Sequence, residues 1–247
     1  MLRLQKALNF INENTQFIKL PSRKDIIIID NTFPDPFAEY RNSEFEAYNK
    51  YFNALIYCDL SIFPKHQRSN KQFETLFKKY KAIHIDSKIK AKKLSLFTNI
   101  NTNLAYFLFL NNAYTYLKHI NKSKINFAYT LYPGGGFQLN SEYVNRKLIE
   151  IHNSKFFQYV IVNQNITKRY LIENNLCAED KILYIPGGPV SENYMSNVQY
   201  ETKNFFGHNK RTFDILFIAH KYMSFGKDKG LDILSRVFSD FVIEYPN

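Results

Sequence analysis

The pattern of hydrophobic and polar positions along the chain predicts strands that alternate with helices. The run 25–30 places four isoleucines between two aspartates, which is typical of a strand buried on both faces of a parallel sheet. Other apolar runs of strand length predict four more strands, at 81–86, 125–130, 157–162 and 181–185. Each strand would be followed by a connection long enough for a helix.

Apolar residues that recur every three or four positions predict those helices. The predicted helical segments are 37–57, 70–80, 96–119 (one or two helices), 141–151 and 167–175. Ser141, followed by Glu142, marks one helix start, and Thr167 is the expected N-cap of another. Alternation of this kind predicts an α/β fold, a Rossmann-like parallel sheet domain, over residues 1–190.

The pattern changes after residue 190. Residues 191–211 are polar and have no periodicity, so we interpret them as a linker between domains. Residues 213–219 then predict a new buried strand, and 230–238 an amphipathic helix. We therefore expect 212–247 to be the first strand and helix of a second Rossmann-like domain.

Composition favours an ordinary folded protein, because 45% of the 247 residues are hydrophobic and 22% are charged. Cys58 and Cys177 are too few for a disulfide framework, and we place each in helix or loop. The N-terminus lacks the pattern of a signal peptide, and no apolar run reaches the length of a membrane span. A cytoplasmic location is expected.

The formal net charge of +11 indicates an anionic partner: a nucleic acid, a membrane surface or a phosphorylated substrate. Lysines are densest at 78–81 and 88–93, where they also fit ordinary solvated helix and loop surfaces. The chain has no zinc-finger spacing and no RNA-binding aromatic motif, so nucleic acid remains a minor alternative. Peripheral attachment to an anionic membrane is the hypothesis that the charge adds.

Two glycine-rich loops follow predicted strands. Gly134, Gly135 and Gly136 follow the third strand, and Gly187 and Gly188 follow the fifth. Glycines allow a substrate or phosphate to approach the backbone closely, although a simple mobile turn has the same composition. The first loop is not the Walker A phosphate-binding loop of nucleoside triphosphatases, since no Lys-Ser or Lys-Thr pair follows it.

Charged side chains follow the first strand, where an acceptor could bind. Asp35, Arg41 and Glu44 are candidates for contact with a sugar or its carrier, and surface charges are the alternative interpretation. The six histidines include no pair at helical spacing and have no cysteine partner, so no metal site is expected.

A second group of candidates follows the strand predicted at 213–219. His220, Lys221, Lys227 and Lys229 precede or adjoin Gly230, where a helix is predicted to begin. Cations beside a helix N-terminus would neutralise a diphosphate and stabilise the charge that grows on it as a leaving group. The alternative is a solvated turn with a capping glycine.

These last segments resemble the centre of a GT-B glycosyltransferase of the retaining, nucleotide-sugar-dependent (group 1) type. The resemblance covers residues 155–240: an apolar strand at 157–162, a helix, then the turn Pro186-Gly187-Gly188-Pro189, with Gly187 where the family usually has Asn. The strand with Lys221, Lys227 and Lys229-Gly230 follows in the family's order. The first 150 residues match in architecture alone.

The resemblance implies transfer of a sugar from a nucleotide diphosphate to a cell-surface glycan or lipid-linked acceptor, without a metal or other cofactor. It also implies that this chain is the front part of such an enzyme, because the family's paired donor-binding glutamates lie beyond the first helix of the second domain. A non-catalytic fragment that binds an acceptor or partner is the alternative. The catalytic residue stays unidentified, since Tyr132 and glycines stand in a loop near the cleft, where the family often has a histidine.

Overall fold

The computed structural model describes residues 23–35, 41–95, 98, 100–187, 209, 215–217 and 230–245. The chain divides into two compact units, Met1–Asn197 and Val198–Asn247. The strands of the first unit are β1 Lys24–Asp30, β2 Ala54–Cys58, β3 Ala91–Lys93, β4 Thr102–Leu108, β5 Asn126–Leu131, β6 Phe157–Val162 and β7 Ile182–Tyr184. Its described helices are α1 Asn42–Tyr51, α2 Asn70–Ile83, α3 Leu110–Ser123, α4 Glu142–His152 and α5 Asn165–Glu173.

All seven strands form one parallel sheet in the order β3-β2-β1-β4-β5-β6-β7. Helices pack on both faces, which alternate along each strand. On β1, Ile27 and Ile29 belong to the core cluster that includes residues of α3, α4 and α5, whereas Ile26 and Ile28 belong to a cluster with residues of α1 and α2. The predicted α/β, Rossmann-like fold class is confirmed.

Two strands were missed because their apolar residues also fit helical spacing. The helix predicted over 37–57 is wrong at its end: α1 stops at Tyr51, and Ala54–Cys58 is the fully buried strand β2, which includes Cys58. The prediction over 96–119 is wrong in its first half, where Thr102–Leu108 forms β4. Both strands pair with β1, so their continuous hydrophobicity reflects burial on two faces.

The strand predicted at 81–86 is also wrong. Helix α2 continues to Ile83, and Ile83 and Ile85 are 66% and 83% exposed, so neither contributes to a core. The third strand of the chain is instead the short edge strand β3, in which two of three residues are lysines. Lysine on an edge strand resists pairing with other chains, and the same lysines hide the strand from a hydrophobicity pattern.

Of the local predictions, those for β6 and Ser141 are confirmed and the one for Thr167 is wrong. Strand β6 has the predicted bounds, and the Ser141 hydroxyl accepts a hydrogen bond from the Val144 N–H at the start of α4. Thr167 is not an N-cap: α5 begins at Asn165, and Thr167 is buried within its first turn. In the second unit the described helix is α6, Leu231–Glu244, preceded by Gly230 with a φ of 78°. Apart from Asn209, the linker predicted at 191–211 lies outside the described residues, and so does the strand predicted at 213–219 apart from 215–217.

Candidate functional site

The strand order reverses between β1 and β4, and this reversal places the candidate site. From β1 the sheet continues to β2 and β3, and from β4 it continues to β5, β6 and β7. Connections that leave the carboxyl ends of β1 and β4 therefore run to opposite faces, and ligands of open α/β sheets bind in the crevice between them. Here the crevice lies beside Asn31–Asp35, after β1, and Phe109, between β4 and α3.

A buried ion pair lies at the carboxyl end of β1, beside this crevice. Asp30, the last residue of β1, is completely buried, and one of its carboxylate oxygens accepts the N–H groups of Thr32 and Phe33 at 2.6 and 3.1 Å. Its other oxygen accepts a hydrogen bond from the guanidinium of Arg41, which is 2% exposed. The pair fixes the loop after β1 against the start of α1. Because Asp30 neutralises Arg41, this cation is not a free charge for a ligand.

Glu44, in the first turn of α1, lies beside the ion pair. Its Oε1 accepts hydrogen bonds from the hydroxyls of Tyr48 and Tyr106 at 3.0 and 2.6 Å, and the Tyr106 hydroxyl also lies 2.5 Å from Thr130 Oγ1. Its Oε2 is buried and has no hydrogen-bond partner in the described part of the chain. Unpaired buried oxygens of this kind are explained by strain, by an ordered water or ion, or by a functional role.

Burial raises the pKa of the Glu44 carboxyl above its ordinary value, and the tyrosine hydrogen bonds with the charge of Arg41 oppose this shift. Burial likewise raises the pKa values of Tyr48 and Tyr106, so both hydroxyls remain protonated donors at neutral pH. The arrangement holds one carboxyl oxygen in place with two tyrosines and leaves the other oxygen without a partner among the described residues. A carboxyl with a perturbed pKa in a crevice is a candidate functional group.

Phe109 forms the wall of the site next to β4. Its backbone has φ of 71° and ψ of 151°, a region that almost only glycine adopts and in which other residues are strained. The Arg41 guanidinium lies 4.8 Å from the centre of its ring, and the Tyr132 ring lies 5.6 Å away. Strained residues of this kind cluster at ligand sites, where surrounding contacts hold them in position.

The glycine loop after β5 packs against this wall. Gly134, Gly135 and Gly136 all have positive φ, and a Cβ at Gly135 would lie 2.2 Å from Phe109 Cδ1. A Cβ at Gly136 would lie 2.0 Å from Asn111 Oδ1, whereas one at Gly134 would meet no atom within 4 Å. Two of the three glycines therefore have a packing reason that is independent of any ligand.

A buried cation lies behind the same loop. Lys147, in α4, donates a hydrogen bond to Asn111 Oδ1 at 3.2 Å, and its ammonium lies over the rings of Tyr143 and Tyr114 at 4.3 and 5.2 Å. The carbonyl and the two aromatic faces stabilise a charge that has no carboxylate partner among the described residues. Lys147 gives the edge of the sheet near Gly136 a positive potential.

The structure brings some of the sequence candidates together and not others. Arg41, Glu44 and the glycine loop adjoin the crevice between β1 and β4, and Asp35 lies in the loop that borders it. Gly187 has a φ of 89° and follows β7, at the far edge of the sheet. Gly230 precedes α6 in the second unit. The remaining candidates, Gly188, His220, Lys221, Lys227 and Lys229, lie outside the described residues.

Sequence reasoning missed four residues that build the site: Asp30, Tyr48, Tyr106 and Phe109. Asp30 carried a signal, since it is an acid at the carboxyl end of a clearly marked strand. Tyr106 and Phe109 were assigned to a helix, so the sequence could not place them at the end of a strand next to β1. Tyr48 falls within the helix predicted over 37–57, and its hydroxyl gives no separate signal in the apolar spacing.

The described residues contain no group of three or more histidine, cysteine, aspartate or glutamate side chains arranged to hold a metal ion. Within the same ranges, no helix combines the length and the apolar character required to cross a membrane.

Comparison with solved structures finds two crystal structures of Alr3699/HepE from Anabaena, one in complex with UDP and glucose and one with UDP-glucose. The first is 13% identical over 66% of this chain and 44% of that chain, with a TM-score of 0.44. The second is 13% identical over 66% of this chain and 43% of that chain, with a TM-score of 0.43. This chain thus matches less than half the length of HepE. No protein-family model and no curated protein matches it.

Proposed function

We propose that this chain contains the acceptor-binding domain of a GT-B glycosyltransferase that moves a sugar from a nucleotide diphosphate to a glycan or lipid-linked hydroxyl, with retention of stereochemistry. The supporting observation is the unpaired, buried Oε2 of Glu44 at the point where the strand order reverses. Such an oxygen accepts a hydrogen bond from a hydroxyl group, which a sugar acceptor supplies. The sequence resemblance at 155–240 supports the choice of a sugar acceptor.

We assign acceptor binding to Glu44, near the start of the chain, and donor binding to three lysines near its end. Glu44 would orient the acceptor hydroxyl through Oε2. Tyr48 and Tyr106 hold Glu44 in place by donating hydrogen bonds to its Oε1. Lys221, Lys227 and Lys229 would bind the donor diphosphate, a role that the resemblance alone supports. The acceptor oxygen bonds to the anomeric carbon as the bond from that carbon to the diphosphate oxygen breaks, and the hydroxyl proton passes to the departing nucleoside diphosphate. Fixed cations stabilise the charge that develops on that leaving group.

The proposal is tested with the 247-residue chain and a panel of UDP-, GDP- and ADP-linked sugars that includes UDP-glucose. Binding is measured by calorimetry, and hydrolysis or transfer by release of the nucleoside diphosphate. Glu44→Gln should lower transfer to an acceptor about 10- to 100-fold, the effect of losing a hydrogen bond to a charged group, with little change in nucleotide-sugar binding. Lys229→Ala should instead weaken the binding of the nucleotide sugar.

Glu173→Gln provides the matched control for Glu44→Gln, because Glu173 is an exposed glutamate of α5 that pairs with Arg169. It should leave both donor binding and transfer unchanged. If no member of the panel binds and no turnover occurs, catalysis by this chain is excluded and the non-catalytic alternative takes its place. If Glu44→Gln and Glu173→Gln behave alike, the role of Glu44 is wrong even where the chain is a transferase.

A further inference from the structure

The two lysine-rich runs of the sequence meet at one corner of the first unit. Helix α2 ends at Ile83, and the chain then folds back: the Ser87 N–H donates to the His84 carbonyl at 3.0 Å, and the Tyr80 hydroxyl lies 3.2 Å from the Ser87 hydroxyl. The Lys81 ammonium donates to the Ser87 carbonyl at 2.5 Å. These contacts join the end of the helix to the segment that enters the edge strand β3. We call residues 78–93 the basic corner.

The basic corner carries more than half of the net charge of the chain. It contains seven lysines and one aspartate, a net charge of +6 out of +11. Five of the lysines are exposed and two are partly buried. The exposed members are Lys78, Lys79, Lys88, Lys90 and Lys92. Clusters of four to eight basic residues attract the negative surface of an anionic membrane, at about 1 kcal/mol for each residue near it.

Two large apolar side chains protrude between these lysines. Ile83 and Ile85 are 66% and 83% exposed, although isoleucine is among the residues most often buried in proteins. Lysines on an edge strand that only prevented strand pairing would not require isoleucines beside them. Apolar side chains surrounded by cations are suited to the boundary between lipid headgroups and acyl chains.

We propose that the basic corner docks on an anionic lipid membrane, with its lysines at the headgroups and Ile83 and Ile85 inserted below them. A nucleic acid would also attract the lysines, but it would gain nothing from the isoleucines, and single-stranded binding uses exposed aromatic rings. The aromatic residue of the corner, Tyr80, is buried. Membrane docking does not depend on the transferase proposal, since it rests on the exposed lysines and isoleucines of the corner and not on the crevice between β1 and β4.

The test measures co-sedimentation of the 247-residue chain with vesicles of phosphatidylcholine, alone or mixed with phosphatidylserine. At about 0.1 M salt we expect binding to the mixed vesicles only. The triple variant Lys88→Gln, Lys90→Gln and Lys92→Gln should bind about a hundredfold more weakly, about fivefold for each lysine. Ile85→Ser, which keeps the charge, should weaken binding about tenfold, as expected for loss of one buried side chain from the lipid.

The matched control removes the same charge elsewhere, with Lys118→Gln, Lys122→Gln and Lys124→Gln at the exposed end of α3. It should retain most of the binding. Equal losses in the two triple variants would show attraction by overall charge and overturn the docking surface. If Ile85→Ser binds vesicles like the unchanged chain, while the corner variant loses binding to a DNA duplex, the surface is a nucleic-acid site instead. Vesicle binding is measured without nucleotide sugar, so its failure leaves the transferase proposal intact.

Discussion

Two buried hydrogen-bond networks in the first unit both contain tyrosine hydroxyls and a titratable group, but they differ in how completely these groups are paired. One is the cluster of Glu44, Tyr48 and Tyr106 next to the Asp30–Arg41 pair, at the carboxyl edge of the sheet. The other joins β5 to α4: His152 Nδ1 donates to the Leu176 carbonyl at 2.6 Å, and the Tyr129 hydroxyl donates to His152 Nε2 at 2.7 Å. The histidine network pairs both ring nitrogens. The edge cluster leaves a carboxyl oxygen without a partner among the described residues.

The difference shows how a polar group inside a protein indicates function. A network whose polar groups are all hydrogen-bonded is rigid and needs no further partner. In a partly paired network, the unpaired group bears a desolvation cost that a bound ligand can remove. The two networks also respond to pH with opposite signs. Burial lowers the pKa of His152 and raises that of Glu44. The contribution of His152 to stability is therefore lost as the pH falls through its lowered pKa, and that of Glu44 is lost as the pH rises through its raised pKa.

Removing Arg41 should have the largest effect on stability. Arg41→Ala leaves the Asp30 carboxylate completely buried without its cation, which costs about 3–5 kcal/mol of unfolding free energy. Urea unfolding measures the loss. The control is Arg169→Ala, which breaks the exposed 3.2 Å pair with Glu173 and should cost less than about 1 kcal/mol. Similar losses in the two variants would mean that the edge cluster is no more tightly built than the surface.

The histidine network should make stability depend on pH. The pKa of His152 is lowered from 6.5 to about 4, so its contribution is complete above pH 6.5 and is lost as the pH falls toward 4. The loss amounts to about 3 kcal/mol, from about 1.4 kcal/mol for each pH unit. We expect the difference in unfolding free energy between the unchanged chain and His152→Gln to shrink over this range. A constant difference would contradict a neutral, fully paired histidine.

A smaller effect distinguishes the glycines that pack against the edge cluster. Gly135→Ala places a methyl group 2.2 to 2.5 Å from carbons of Phe109, whose ring lies under Arg41, and overpacking of this kind costs about 1–3 kcal/mol. Gly134→Ala has a similar positive φ but no atom within 4 Å of its new methyl, so it bears only the backbone strain. Thermal unfolding of the pair isolates the contact. Equal shifts would show that Phe109 moves freely and does not form a fixed wall.

The sequence predicted a strand correctly where turn residues or charges separate its apolar run from the neighbouring helices. β1, β5 and β6 were found, because turn residues or charges bound each apolar run. β2 and β4 were not, since each lies next to a helix in sequence and its aromatic and aliphatic residues continue the helical spacing. Pairing with β1 on either side decided their conformation, and a pairing between distant segments leaves no trace in a local pattern.

The candidate site was predicted in the same uneven way. Arg41 and Glu44 were candidates because they follow the first strand, and the glycine loop was a candidate because of its composition. Their partners were not predictable: Tyr106 reaches Glu44 across 62 positions, and Arg41 meets Phe109 only after β4 has paired beside β1.

By itself the sequence determined that the chain alternates strand and helix, that the core is aliphatic and aromatic, and that lysines concentrate in two runs. These properties are local, so a short window of residues contains them. Only the tertiary structure decided that Glu44 keeps one oxygen unpaired, that Asp30 neutralises Arg41, and that the two lysine runs form one corner with Ile83 and Ile85. Each of these depends on which strands become neighbours, because burial and hydrogen bonding between distant residues exist only after the sheet has formed.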